Sequence, residues 1–500
     1  MSLKTALIRP FAKILSRRVQ KDAQWAEKDQ QQWLAYFIKQ GRKTAYGQAH
    51  GLDKVQNYDG FKQNIPLVGY EALRPYIERI NQGENNVLWP GRPEYYAKTS
   101  GTTSGTKYIP LTKASIPNHF GTARNALFHY MASTGNYDFM DGKLMFLSGS
   151  PILDTYHGIA TGRLSGISNH LIPSWLKRSQ LPSYPTNCIE AWEEKLDRIV
   201  EETAKADLRL ISGIPPWVQM YYERLLAHTG KRTIMEVFPN LSMFVYGGVN
   251  FEPYRASLER LVGKRLPSVE TYPASEGFLA FQDRQDDSAL LLNTNSGIFF
   301  EFVPLSTIHE EQPPRLALHQ VELGVDYAVI LTTNAGLWGY EIGDTVRFVS
   351  IRPYRILVTG RVKHFISAFG EHVIGKEVEV ALLYAAEQTK ASFVEFTVAP
   401  QVNPPTGAAP YHEWFIAFEQ LPAHLEQFAS LVDEQLQIQN SYYKDLREGN
   451  VLQQLKIRIL QPTAFRDYMK SIGKLGGQNK VPRLSNDRKI ADFLEDFLLQ

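Results

Sequence analysis

The sequence predicts an α/β protein: a large N-terminal domain of helix-covered sheets with a β-rich subdomain, then a smaller α+β domain. Three observations carry this. Short apolar strands at Lys143–Leu147, Leu208–Ile211, Met243–Tyr246 and Ser268–Thr271 alternate with helical stretches at Glu190–Ala206 and Pro216–Thr229, the pattern of a sheet covered by helices. The stretches Gly297–Val303, Tyr327–Thr332 and Thr345–Val349 read as strands and suggest a barrel-like part. Beyond Gly360 come strands at Phe393–Ala399 and Trp414–Glu419, a helix at Ala423–Asn440 and a strand at Lys456–Leu460. Those roughly 140 residues suffice for a separate small domain.

The N-terminal segment is basic and amphipathic, with Leu7, Phe11, Ile14 and Leu15 among Lys4, Arg9, Lys13, Arg17 and Arg18. These charges interrupt the unbroken apolar run that a secretory signal needs. A mitochondrial-type transit segment fits the charge better, but the expectation is a helix packed on the main domain, started or kinked at Pro10. From Gln24 to Gly41, Trp25, Trp33, Phe37 and Ile38 recur at helical spacing. The Pro-rich stretch Pro400–Pro410 reads as a surface loop inside the small domain.

Composition narrows the function. The 500 residues carry 54 Lys+Arg against 52 Asp+Glu, a formal charge of +2, with 43% hydrophobic and 21% charged residues. Such usage is that of globular proteins and excludes a disordered chain; the length allows about two to four domains. Near-neutral charge argues against gripping nucleic acid by its phosphates. A lone cysteine, Cys188, excludes an internal disulfide framework and a Cys-rich metal site. No stretch is long and apolar enough to span a bilayer. The expectation is a soluble cytoplasmic protein with no nucleic-acid, membrane or obligate protein partner.

Three clusters carry chemistry. In Thr99-Ser100-Gly101-Thr102-Thr103-Ser104-Gly105-Thr106-Lys107, two glycines let backbone approach a ligand and successive N–H groups can nest anionic oxygens. Hydroxyls and Lys107 add donors and charge. It is not the usual P-loop, which needs four residues between its glycines and then Lys-Ser/Thr. Thr271-Tyr272-Pro273-Ala274-Ser275-Glu276 follows a strand and ends in a carboxylate, the hard oxygen ligand that phosphate-bound Mg²⁺ takes; Tyr272 could face a base or sugar. In Gly336-Leu337-Trp338-Gly339-Tyr340-Glu341-Ile342-Gly343-Asp344, a carboxylate behind a glycine turn can accept from both ribose hydroxyls. Together the three suggest an ATP user.

With these clusters in place, the chain resembles the auxin-responsive acyl acid amido synthetases, the Gretchen Hagen three family of the adenylate-forming superfamily. The phosphate loop resembles that family's Ser-Ser-Gly-Thr-Ser/Thr, and Tyr272-Pro273-Ala274-Ser275-Glu276 its Tyr-x-x-Ser-Glu. Tyr340-Glu341-Ile342-Gly343-Asp344 matches Tyr-x-x-Gly-Asp, and Thr359–Ile366 looks like the hinge. Gly477-Gln478-Asn479-Lys480-Val481-Pro482-Arg483 resembles Gln-x-Lys-x-Pro-Arg. Departures are Thr99 for serine, a loop one residue shorter before Lys107, and Glu341 where relatives often have arginine. The C-terminal loop also differs from plant members, so plant-hormone specificity does not carry over.

The resemblance implies a large N-terminal adenylate-forming domain at 1–357, a hinge at 358–363 and a mobile C-terminal domain at 364–500. It implies ATP and Mg²⁺ as cofactors, and a small carboxylic acid and an amino acid as substrates joined through acyl-AMP into an amide. Ser100, Gly101, Thr102 and Thr103 would hold the phosphates, Glu276 the metal and Asp344 the ribose. Tyr272, Ser275, Tyr340 and Arg361 would help to place the nucleotide, and Lys480 would be the mobile catalytic lysine. The alternatives are an acyl-CoA-type ligase with a thiol acceptor and a non-catalytic nucleotide-binding scaffold. His157 and His372, conceivable bases, read as structural or exposed; Trp217, Tyr221 and Tyr222, at helical spacing, read as core.

Overall fold

The computed structural model describes residues 3–99, 106–248, 251–308, 310–362, 365–366, 368–371, 373–405, 408–472 and 481–499. Its spine is a twelve-stranded sheet. Strands Ser268–Ala274, Met243–Gly247, Leu208–Ser212, Lys143–Phe146 and Gln180–Leu181 lie side by side and parallel. Their apolar runs split by alternation between two faces. Met145, Ile211 and Phe244 enter one core with the helices Trp192–Thr203, Pro215–Thr229 and Glu252–Val262. Leu144, Leu210 and Met243 enter the other, beneath Leu3–Gln24 and Ile116–Thr134. Burial on both faces is what parallel strands require. Tyr221 and Tyr222 are fully buried in the first core, as their spacing predicts.

Past Ser268–Ala274 the sheet turns antiparallel, through Gly277–Gln282, Leu290–Leu292, Tyr354–Arg361, Tyr340–Ile351, Asp326–Thr333, Ile298–Pro304 and Leu316–Ala317. The β-rich part is therefore continuous with the α/β sheet rather than a separate barrel, because Leu290–Leu292 pairs with Tyr354–Arg361. A third core, with Phe37, Trp338 and Phe300, lies under Ala26–Gly41. Within this part Arg315 pairs with Glu301 at 2.6 Å, both buried, and Tyr58 donates to the same carboxylate at 3.1 Å. A second, four-stranded sheet contains the pair Tyr95–Thr99 and Lys107–Leu111.

The N-terminal segment is one helix, Leu3–Gln24, which runs through Pro10, and Ala26–Gly41 follows after Trp25. The C-terminal part has a three-stranded sheet, Ser392–Gln401, Tyr411–Gln420 and Lys456–Ile459. Alternation again splits it: Trp414, Ile416 and Phe418 face Gly375–Thr389 and Leu425–Gln439, while Phe415 and Ala417 face Ala464–Ser471 and Lys489–Leu494. The Pro-rich stretch joins its first two strands, as expected for a loop inside the unit. No helix among the described residues is long and apolar enough to cross a membrane.

Candidate active site

Parallel strands deliver their carboxyl ends to one edge, where ligands of open α/β sheets bind. Here that edge carries Ser148 and Gly213 just past the ends of two strands, Gly247 at the end of a third and Tyr272 near the end of a fourth. Gly247 is required there, since a Cβ would collide with the Thr271 carbonyl oxygen. The strand Ser268–Ala274 extends further than its sequence suggests, so Tyr272 lies on it rather than beyond it. Ala274 pairs with Gly277, leaving Ser275 and Glu276 as a two-residue hairpin turn at the rim. Glu276 is thus a partly exposed carboxylate on a short, stiff turn.

Asp344 reaches this edge from the antiparallel half. Ala328 pairs with Thr345 and Ile330 with Glu341, so Ile342, Gly343 and Asp344 bulge from the ladder opposite Val329. Gly343 has φ +88°, a conformation side chains resist. Such a bulge re-aims side chains. The Tyr272 phenol donates to Asp344 Oδ2 at 2.6 Å, and Asp344 is only 8% exposed. Two of the three motifs, 72 residues apart, therefore meet in one hydrogen bond. Arg361 lies across from Asp344 in the backbone ladder. Tyr340, at the start of the same strand, is fully buried in the core.

Residues 100–105, and with them Ser100, Gly101, Thr102 and Thr103, lie outside the described residues, as do Lys480, Lys363 and His372. The stems of the phosphate loop are described: Thr99 pairs with Lys107, so the two stems are paired antiparallel strands. Lys98 on its first stem pairs with Asp154, and the Lys107 ammonium lies 5.9 Å from the Tyr70 ring centre. His157 is exposed in a turn, as expected.

Sequence reasoning missed the side chains that join the C-terminal part to this edge. Tyr442, on the C-terminal helix Ser441–Glu448, donates to the Lys98 carbonyl at 3.4 Å and hydrogen-bonds the Thr99 side chain. Burial raises its phenol above the ordinary range, Arg163 opposes the shift, and the Glu276 carboxylate adds to it. Tyr442 therefore sits against the phosphate-loop stem, within electrostatic reach of the Glu276 carboxylate. Arg163 stacks on its ring at 4.7 Å and pairs with Asp445 one turn on. Asn450 donates to Glu193 at 2.7 Å, and Tyr254 donates to the Ala368 carbonyl at 2.8 Å, so the C-terminal part meets the large sheet at several points. No local pattern marks Tyr442, because its neighbours come from distant segments.

Lys195 was legible. It lies on the stripe with Ile199 and Thr203 that the helix Trp192–Thr203 buries, where a lysine is out of place. It donates to the carbonyls of Ser148 at 3.0 Å and Asn187 at 2.8 Å, tying down the loop after Lys143–Phe146. Burial pushes its ammonium down to about 8.

The N-terminal, central and C-terminal domains of the GH3 (Gretchen Hagen three) family match residues 15–180, 291–361 and 376–489. Jasmonoyl-L-amino acid synthetase JAR4 of Nicotiana attenuata is 23% identical, over 92% of this chain and 91% of its own. Indole-3-acetic acid-amido synthetase GH3.15 of Arabidopsis thaliana is 22% identical, over 92% and 91%. Among solved structures, AtGH3.15 acyl acid amido synthetase in complex with 2,4-DB has TM-score 0.62 at 16% identity, over 98% of this chain and 96% of that one. 2-Hydroxyisobutyryl-CoA ligase in complex with 2-HIB-AMP and CoA has TM-score 0.55 at 14% identity, over 97% and 92%. These structural likenesses are ones of fold.

Proposed function

The chain belongs to the GH3 family, and from that premise we propose that it is an ATP-dependent acyl acid amido synthetase acting in the cytoplasm. A carboxylate is a poor electrophile, and an amine cannot displace oxide from it. Adenylation removes the difficulty. The acid's oxygen attacks the α-phosphorus of ATP and expels pyrophosphate; the amine of an amino acid then attacks the acyl carbon and expels AMP. Phosphoryl transfer of this kind needs positioning and charge neutralisation more than covalent help.

The observation that carries the reading is the Tyr272–Asp344 hydrogen bond at the carboxyl edge of the sheet, beside the Ser275–Glu276 turn. Asp344 would accept from both ribose hydroxyls, with Tyr272 fixing its carboxylate and its own ring against the nucleotide. Ser100, Thr102, Thr103 and the loop amides would hold the phosphates, and Lys480 would neutralise charge as pyrophosphate leaves. Mg²⁺ takes one or two carboxylates and completes its shell with phosphate and water. A single carboxylate on a stiff turn near the phosphate-loop stem fits that demand, so Glu276 would hold the ion, which supplies charge neutralisation to the phosphates. We place the domain hinge at 358–363.

The test is pyrophosphate release from Mg-ATP over aryl, indolyl and fatty carboxylic acids, with hydroxylamine to trap acyl-AMP and amino acids or coenzyme A as acceptors. Acid-dependent pyrophosphate with a hydroxamate supports adenylation, and amide masses with amino acids support the acceptor. Thioester masses instead would make the protein a thiol-dependent ligase. A folded protein that binds no ATP would leave only a scaffold.

A further inference from the structure

The helix Leu3–Gln24 is apolar on two sides, and only one is covered. Ala12, Leu15 and Val19 are buried against Ile116–Thr134 and the sheet. On the adjoining face, about a quarter turn round the helix, Leu7 is 71% exposed, Ile14 61% and Phe11 47%, at the i, i+4, i+7 spacing of one stripe. Phe11 touches Phe128 edge-on at 5.3 Å, which leaves its outer half bare. Arg17, Arg18 and Lys21 continue this face, and Arg9 and Lys13 flank it, all exposed. Over the first 21 residues there are six cations, Lys4, Arg9, Lys13, Arg17, Arg18 and Lys21, and no acid before Asp22. The whole chain carries only +2, so the remainder is net negative and the positive charge is concentrated here.

We propose that this face docks on an anionic lipid surface, with Leu7, Phe11 and Ile14 entering the headgroup boundary and the surrounding cations meeting lipid phosphates. An exposed apolar stripe within a cationic rim, on a helix held rigidly by its other face, is the arrangement that lies in a membrane interface without spanning it. The sequence reading excluded a membrane partner because no stretch spans one. The proposal departs from that expectation because three large apolar side chains stand uncovered among cations. Charge complementarity selects the occupant: a purely apolar partner would not need the cationic rim, and a second copy would bring the same cations face to face. Asp22, at the end of the helix, lies 3.9 Å from Arg18.

The full chain is sedimented with vesicles of phosphatidylcholine alone or with phosphatidylglycerol. Binding is expected only with the anionic lipid, and high salt, which shortens the screening length, should release it. Leu7→Asp/Ile14→Asp and, separately, Arg17→Glu/Arg18→Glu should each lower the bound fraction about tenfold or more. Both pairs are exposed, so the thermal midpoint should hold; Arg17→Gln/Arg18→Gln offers a milder second variant. Equal binding to both vesicles, binding that salt and all variants leave unchanged, or no binding overturns the proposal. So does a concentration-dependent dimer that Leu7→Asp/Ile14→Asp disperses in lipid-free buffer without any vesicle binding by the wild type.

Discussion

Asp344→Asn is the sharpest perturbation of the nucleotide site. It preserves shape and exchanges a carboxylate for a carboxamide at a position only 8% exposed. A hydrogen bond to a charged group contributes about 1.5–3 kcal/mol and a neutral one about 0.5–1.5, so each bond weakens by roughly 1 kcal/mol or a little more. Two ribose hydroxyls together then lose about 2–3 kcal/mol, an ATP complex about 30- to 160-fold weaker. Tyr272→Phe removes the 2.6 Å donor but keeps the ring. It should cost about 1–3 kcal/mol of stability, through a mostly buried carboxylate with one donor fewer. In the double variant the losses should not add, because both single changes disturb the same bond. Calorimetric titration with ATP and denaturant unfolding read the two quantities separately. A folded Asp344→Asn protein that binds ATP as tightly as wild type would refute the assignment of Asp344 to the ribose.

Glu276→Ala should abolish adenylation without loss of fold, since Glu276 sits on a surface turn; normal pyrophosphate release would remove it from the site. Arg315→Met strands the buried Glu301 carboxylate and should cost about 3–5 kcal/mol in denaturant unfolding, most of it recovered by adding Glu301→Leu; a neutral single variant would contradict the pairing. The Lys195 ammonium stands at about 8 in the fold against 10.5 for the free side chain. The unfolded chain therefore holds more protons between these values, and stability should rise as pH climbs through that window. Lys195→Met should flatten the rise, and an unchanged slope would count against it. Arg163→Asp should slow amide formation while changing stability by less than about 1 kcal/mol, as a half-exposed pair implies. Adding Asp445→Arg should restore the rate, and a swap that restores nothing would take the contact out of the working cycle.

What was legible depended on the range of the interactions involved. The strands at Leu208–Ser212 and Met243–Gly247 announce themselves as short apolar runs, and both are buried on two faces. The motif residues Tyr272 and Asp344 were nameable because glycine and carboxylate chemistry is local, although only the sheet order shows that they touch. Tyr340 belongs to the same motif and is packed in the core, a burial that the motif read as a string does not disclose. Tyr442 escaped because its partners Lys98 and Arg163 lie 344 and 279 positions earlier, and no periodicity encodes such a contact. The N-terminal helix was legible as amphipathic. Which of its apolar residues stay bare follows only from how it packs on Ile116–Thr134.

Adenylation itself is tested most directly by following oxygen. The acid found in the substrate panel is labelled with heavy oxygen at both carboxylate positions and turned over with Mg-ATP and its amino acid. If the acid attacks the α-phosphate, one labelled oxygen leaves in AMP and the other stays in the amide carbonyl. Label recovered in inorganic phosphate alongside ADP would mean an acyl phosphate instead, and unlabelled AMP beside amide product would exclude the acyl-adenylate altogether.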